Sequence, residues 1–450
     1  MRYHIWTIGC QMNVADSQRV AAGLERLGYT PAARAEDADV MILNTCVVRQ
    51  QPEDKAVGRL NQLKRVKDRY PDRVLALMGC MVGLKEAAAL QARFPWVDVF
   101  LPPSDPTELW ALLAERGHLD EAQTLIADAE ARRLALSRVD TILPPSEQAH
   151  VVSAHLPIVL GCSHACTYCV IPYRRGAERS RPPDAILAEA RQMVAQGVKE
   201  ITLLGQIVDR YGYDLPEFSD AAETPLVTLL RRVHEIDGLQ RLRFLTSHPN
   251  WMRDDLLRAV AELPKVCEHI EVPIQAGDDE VLAQMRRGYT VDDYRRLVAR
   301  LRELIPGVSI ATDIIVGFPG ETAEQFQHTY DLLAELRLDK AHIARYSSRP
   351  LTVATRTMTD ALARAEKERR RQALDDLQSR ILEELNARYL GQTVEVLVEG
   401  KNEAKDRWFG RTRTDRLVFF PADGDWLGRL AQVYVTWTGP WSLIGEVSTR

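Results

Sequence analysis

Three cysteines, Cys162, Cys166 and Cys169, stand with three and then two residues between them. Thiolates on one short segment can converge on an iron–sulfur cube, and three ligands leave one iron without a protein partner. An open iron is a binding site for a small ligand. Zinc or inert buried thiols would suit the same spacing, although zinc usually takes four protein ligands from paired Cys-x-x-Cys knuckles and no second knuckle follows. Three more cysteines, Cys10, Cys46 and Cys80, each follow a strand-like run, at residues 3–8, 39–43 and 73–78. The carboxyl ends of parallel strands form the ligand crevice of an open α/β sheet, so thiols distant in sequence are delivered to one place and suggest a second cluster. Three ordinary buried cysteines are the plainer alternative, at the cost of a threefold coincidence. Cys267 has no spaced partner and reads as a structural core residue.

The elements that must position these thiols are α/β in pattern. The three N-terminal runs and a fourth at 97–101 alternate with helical stretches, which predicts a doubly wound parallel-sheet domain. Asn13 opens a helix that closes at Gly28, with Val14, Val20, Leu24 and Leu27 on one stripe; Pro52 opens the next and Pro71 stops it. A helical connector follows and breaks at Pro144-Pro145-Ser146. Strand-like runs at 156–160, 200–204, 241–245, 269–274, 309–316 and 342–346 predict a whole or partial β/α barrel, with the second cysteine triplet directly after its first strand. Leu374, Leu377, Ile381 and Leu385 mark an amphipathic helix, and runs at 393–398, 417–420 and 431–438 predict a small β-barrel. The expected divisions are 1–118, a connector at 119–147, a core at 148–376 and a last unit at 379–450.

At 450 residues the chain has room for about three domains. Apolar residues at 46% and charged residues at 27% exclude collagen-like, low-complexity and disulfide-scaffold classes. Lys plus Arg at 58 against Asp plus Glu at 63 gives a net charge of −5, so any nucleic-acid contact needs a local patch. One candidate is Lys401, Lys405, Arg407, Arg411, Arg413 and Arg416, interleaved with Trp408 and Phe409, which reads as an RNA surface or as a solvated hairpin. Arg174, Arg175, Arg179 and Arg181 could bind substrate phosphate or pair with Glu178 and neighbouring acids, and we favour substrate. His248, His269 and His342 are pocket candidates only. The longest apolar run, 74–84, is far short of the ~18 residues that span a bilayer, and residues 1–6 lead straight into a strand. A cytoplasmic, reducing setting is expected, where seven cysteines serve as thiols or metal ligands.

The loop of Cys162, Cys166 and Cys169, with Tyr168 before its last cysteine, resembles that of radical S-adenosylmethionine enzymes. Gly9-Cys10-Gln11-Met12-Asn13, Asn44-Thr45-Cys46-Val47-Val48-Arg49 and Gly79-Cys80-Met81 resemble the N-terminal motifs of the methylthiotransferase family. Arg175-Gly176-Ala177-Glu178-Arg179-Ser180-Arg181, Pro273-Ile274-Gln275-Ala276-Gly277 and Thr312-Asp313-Ile314-Ile315-Val316-Gly317-Phe318-Pro319-Gly320-Glu321 are similar to further family segments, and Gly391-Gln392-Thr393 with Gly410-Arg411-Thr412 to a TRAM module. The resemblance implies a radical S-adenosylmethionine core and two 4Fe–4S clusters, one on each cysteine triplet. It implies S-adenosylmethionine both as radical source and as methyl donor, contacts to it from Tyr168, Gly205, Gln206, Gly317 and Gly320, an external electron donor and a tRNA substrate. A monomer is expected. Gln11-Met12-Asn13, Asp16-Ser17 and the word after Cys46 are most similar to the branch that methylthiolates isopentenyladenosine next to the anticodon. Branches acting on threonylcarbamoyladenosine or on a ribosomal protein are the alternatives. The sequence departs from the family pattern at Val82-Gly83, Ile207-Val208-Asp209-Arg210 and Ser348-Arg349-Pro350-Leu351-Thr352. From another class, a non-catalytic metal- or redox-responsive RNA-binding protein remains the rival.

Overall fold

The computed structural model describes residues 1–48, 50–116, 125–126 and 143–448. The N-terminal sheet has the order β2-β1-β3-β4-β5, all parallel, from β1 (Arg2–Thr7), β2 (Thr30–Pro31), β3 (Val40–Thr45), β4 (Val74–Gly79) and β5 (Val99–Leu101). Strand side chains alternate between faces, and β3 shows the consequence: Val40 and Ile42 pack with Leu24 and Trp110, while Met41 and Leu43 pack with Leu60 and Leu63. Helices therefore cover both faces, as the pattern predicts. The first helix, Gln11–Arg26, starts two residues before Asn13 because Cys10 takes the N-cap, and the second, Gln50–Arg69, carries Pro52 in its first turn, where its missing N–H is harmless. Most of the expected connector, 119–147, lies outside the described residues.

The central unit has six parallel strands around its core: β6 (Ser153–Pro157), β9 (Glu200–Leu204), β10 (Arg241–Phe244), β11 (His269–Glu271), β12 (Ser309–Val316) and β13 (Lys340–Arg345). They form two sheets, β10-β9-β6 and β11-β12-β13, joined by a bridge between Leu242 and Val266. Among the described residues β6 and β13 do not pair, so the barrel is partial. The helix Gln11–Arg26 of the N-terminal domain packs on the β6 edge and the helix Arg364–Ala387 along β13. The predicted strand at 156–160 is two pieces. Pro157 stands on the open edge of the sheet, where no N–H is needed, Ile158 N–H still reaches the Leu204 carbonyl at 2.8 Å, and β7 (Val159–Leu160) then turns away to pair antiparallel with β8 (Arg179–Ser180).

The last unit is a closed barrel, β14-β15-β16-β18-β17, from β14 (Thr393–Asn402), β15 (Arg407–Arg411), β16 (Leu417–Phe420), β17 (Leu430–Thr438) and β18 (Leu443–Val447), filled by Val396, Val398, Phe420 and Val433. Two strands more are present than the three predicted runs. The hairpin between β15 and β16 lies on the N-terminal ends of the central strands. Arg241 donates to the Arg411 carbonyl at 2.6 Å, and Arg243 to the carbonyls of Arg413 and Thr412 at 2.8 Å. In return Arg413 pairs with Glu268 at 2.7 Å and donates to the Val266 carbonyl at 2.6 Å, while Arg416 pairs with Asp339. The predicted basic surface is thus corrected in part. Arg413 and Arg416 are docking groups and Arg411 pairs with Asp415 at 3.2 Å, because the hairpin fits the barrel base only if its cations meet the acids there. Arg413→Ala should cost about 1–3 kcal/mol through its orphaned partners. Limited proteolysis should then release a fragment from about residue 390 onward faster than from wild type.

Candidate functional site

The loop that carries Cys162, Cys166 and Cys169 is stapled at its base by β7 and β8. Gly161 sits at φ 72° where a Cβ would strike the carbonyls of Ala177 and Gly176, and Cys162 N–H donates to the Gly176 carbonyl at 3.0 Å. Only glycine fits there. Thr167 fastens the middle of the loop to the barrel through the Gln284 and Met285 carbonyls, at 2.8 and 3.2 Å. The buried Arg287 donates to Cys166 Sγ at 3.2 Å, to the Pro273 carbonyl at 3.2 Å and to the Tyr289 hydroxyl at 2.9 Å. Burial pushes Cys162 up to about 11 and Cys169 to about 12. For Cys166 burial works the same way, but His164 and Arg287 outweigh it and pull the thiol below its ordinary value. Of the three sulfurs, Cys166 is therefore the one that gives up its proton most readily.

The second triplet lies at the carboxyl ends of β1, β3 and β4. Cys10 caps the helix Gln11–Arg26, Cys46 follows β3 and Cys80 follows β4. Asn13 ties the loops of Cys10 and Cys46 together: its Nδ2 donates to the Thr45 carbonyl at 2.9 Å and Asn44 Oδ1 at 3.0 Å, and its Oδ1 accepts from Cys10 Sγ at 3.5 Å. Burial pushes Cys46 up to about 12, helped by the nearby Cys80 and Cys10. Among the described residues, no three or more His, Cys, Asp or Glu side chains stand close enough to share a single metal ion. A compact zinc centre would need that closeness, whereas a cube is wider and takes its thiolates at separate corners. All-sulfur donor sets of three at each site fit the wider group.

A cavity of about 160 Å³ lies beside Cys169 and is lined further by Tyr168, Gln275, Asp313, Ile315 and Tyr346. Val48, two residues beyond Cys46, closes it from the N-terminal domain. Gln275 holds φ 76°, a strained value for a side-chain-bearing residue, and is clamped there by hydrogen bonds of 2.9 Å to Asp313 and from Ile315. The lining includes Tyr168 but not Gly205, Gln206, Gly317 or Gly320. Gly205 presses on Val159 and Val208, Gln206 is half-buried beside it, and a Cβ at Gly317, at φ 71°, would run into Lys367. Gly320 has φ 85° and open space around it. A second, polar cavity of about 440 Å³ fills the barrel lumen below, with His269 and His342 on its wall; Cys267 is buried beside it.

Sequence reasoning assigned the arginines of residues 174–181 to substrate, and the structure corrects three of them. Arg174 pairs with Glu86, Arg175 lies 3.5 Å from Asp16, and Arg181 pairs with Glu189 at 2.5 Å. All three are buried, and buried cations demand acidic or carbonyl partners. It also passed over His164 and Asp209. His164 stacks edge-on with His248 at 4.6 Å, and the Asp209 carboxyl accepts from the His248 backbone N–H at 2.9 Å. No motif spacing marks this pair, since the two come from different loops.

Comparison with known proteins agrees with this division. Residues 156–333 match the radical SAM superfamily, residues 2–102 the uncharacterized protein family UPF0004, and residues 387–448 the TRAM domain. Among solved structures, the radical S-adenosylmethionine methyltransferase TsrM from Kitasatospora setae shares the fold, with a TM-score of 0.54, 16% identity and coverage of 79% of this chain and 76% of that one. Fold and loop together define a radical S-adenosylmethionine enzyme, a class that works with a 4Fe–4S cluster and S-adenosylmethionine. The tRNA-2-methylthio-N(6)-dimethylallyladenosine synthase of Roseiflexus sp. (strain RS-1) is 52% identical over 99% of this chain and 90% of its own length. That of Herpetosiphon aurantiacus is 49% identical over 99% and 98%. The chain belongs to this family of radical S-adenosylmethionine methylthiotransferases.

Burial raises the Asp209 carboxyl to about 8, and burial and neighbouring cations push His248 down to about 2, so at neutral pH the pair is largely protonated acid beside neutral imidazole. Asp209 holds its proton more tightly folded than unfolded. Its contribution to stability is complete below about pH 4 and falls as pH rises toward about 8, a loss on the order of a few kcal/mol. Asp209→Asn should flatten the dependence of Tm on pH across pH 5–8; calorimetry that finds the same slope in both proteins refutes the assignment.

Proposed function

We propose that the chain methylthiolates the dimethylallyl-modified adenosine next to the tRNA anticodon. The observation that carries this reading is the loop of Cys162, Cys166 and Cys169 beside a cavity that Val48 closes from the N-terminal domain, in a chain half identical to synthases of that name. In it, Cys162, Cys166 and Cys169 hold one 4Fe–4S cluster and Cys10, Cys46 and Cys80 a second, auxiliary one. When bound, the first group with S-adenosylmethionine supplies a radical able to abstract hydrogen from an unactivated carbon, and the second presents sulfur.

The protein's own part is positioning and exclusion of water. Tyr168 lies edge-on to Phe318 at 6.5 Å and Phe318 to Tyr346 at 5.5 Å, giving the cavity an aromatic wall. Val48, Val170, Ile314, Ile315 and Ala344 add an apolar lining that suits a dimethylallyl group. A groove of about 760 Å³ adjoins this cavity through Ala344 to Ser347 and reaches Gln50, an approach wide enough for a nucleic-acid loop. Arg413 and Arg416 dock, Arg411 pairs with Asp415 and Lys401 with Asp406 at 2.6 Å, so Lys405 and Arg407 remain for phosphate, and Tyr434, Trp437 and Trp441 are exposed for stacking. Electrons come from an external donor. Among the described residues no helix is long and apolar enough to cross a membrane.

Anaerobic reconstitution should give about eight iron atoms per chain, and about four in Cys162→Ala/Cys166→Ala/Cys169→Ala. Deoxyadenosine formation should vanish in that variant, and only wild type should add a methylthio mass to dimethylallyladenosine tRNA. About four iron atoms in wild type would remove the second site, and full loading without tRNA product would move the substrate to another branch of the family.

A further inference from the structure

Arg175 starts in one domain and ends in another. It is the last residue of the helix Ile171–Arg175, which begins two residues after Cys169, and at about 1.5 Å per residue this helix is a strut of roughly 7–8 Å. The guanidinium at its far end is 3% exposed and lies among the loops of the N-terminal triplet. Nε donates to Cys80 Sγ at 3.3 Å, and Nη2 donates to Asn13 Oδ1 at 3.2 Å and stands 3.5 Å from Asp16 Oδ2. Asn13 Oδ1 is the atom that also accepts from Cys10 Sγ, and Asn13 Nδ2 holds the carbonyl next to Cys46. One buried cation is thus linked, directly or through a single side chain, to all three cysteine loops.

Burying a guanidinium costs several kcal/mol unless negative partners surround it. The partners in reach are one carboxylate, Asp16, and the cysteines themselves. Asp16 Oδ2 is buried without a hydrogen bond, so that acid alone does not complete the guanidinium's surroundings. Thiolates would complete them. Arg174 and Arg349 also cross between the domains, but Arg174 ends on Glu86, and Arg349 on Glu53 at 2.6 Å and on Gln50. Of the three, Arg175 is the one that reaches sulfur. The other triplet has its own guanidinium on sulfur, Arg287 on Cys166, supplied from within the same domain.

We propose that Arg175 is a positioning residue for methylthiolation: it registers the Cys10, Cys46 and Cys80 site on the radical-forming site and offsets the negative charge of the group held there. This rests on the reading that those cysteines hold a cluster. A donor on a ligand sulfur and a nearby cation favour the reduced, more negative form, so the arginine raises the potential of that site. Loss of the charge makes the site harder to reduce and looser in its hold on iron.

The test uses the full chain carrying Cys162→Ala/Cys166→Ala/Cys169→Ala, so that iron reports the N-terminal site alone, with iron counts and an anaerobic redox titration followed by electron paramagnetic resonance. Arg175→Gln should lower the reduced-to-oxidised ratio at a fixed poise about tenfold, which is about 59 mV for one electron. Arg175→Lys should restore most of it, and Arg174→Gln, which cuts the ties to Glu86 and to the Met81 carbonyl but none to sulfur, should leave the parent potential. Iron lost in Arg175→Gln but kept in Arg175→Lys supports the same role. An unshifted potential in Arg175→Gln, an equal shift in Arg174→Gln, or iron lost from both Arg175 variants at unchanged melting temperature overturns it. Absence of iron from the parent itself would instead refute the two-site reading on which the proposal stands.

Discussion

Buried guanidinium groups that cross from one folding unit to the next hold the three parts of this chain in register. Arg174, Arg175 and Arg349 run from the barrel into the N-terminal domain, and Arg241, Arg243, Arg413 and Arg416 lock the last barrel onto the central one. Apolar faces would join such units with similar strength but without a fixed register. Planar donors that must meet particular carbonyls and carboxylates tolerate little sliding. Chemistry shared between two domains needs that precision, because the cavity between Cys169 and Val48 exists only while both domains are seated.

Given that register, ordinary α/β topology does the rest. Parallel strands deliver Cys10, Cys46 and Cys80 to one crevice, the partial barrel carries Cys162, Cys166 and Cys169 on the loop after its first strand, and Arg175, just beyond that loop, reaches Cys80 of the other set. The open edge of the barrel, between β6 and β13, is where the first helix and the helix Arg364–Ala387 pack. A closed barrel would leave no room for a second domain to contribute. Below the cavity the lumen is polar, with Glu271 raised to about 7 and His269 lowered to about 3 by burial, in place of the branched apolar layers that usually fill such barrels.

Spacing and periodicity along the chain determined the thiol triplets, the strand ends that carry three of them, the doubly wound and partial-barrel layers and the terminal barrel, because each is a local pattern with its own physical cause. What only the tertiary structure decided is which charges are spent: Arg175 and Arg181 read as substrate-phosphate ligands and Arg413 and Arg416 as an RNA surface in one dimension, and in three all four are struts, buried except for Arg413. The same holds for His164 beside His248, and for Gln275 in its strained turn. A side chain's type sets what it can bond, but its partner comes from residues tens or hundreds of positions away, and packing alone chooses among them.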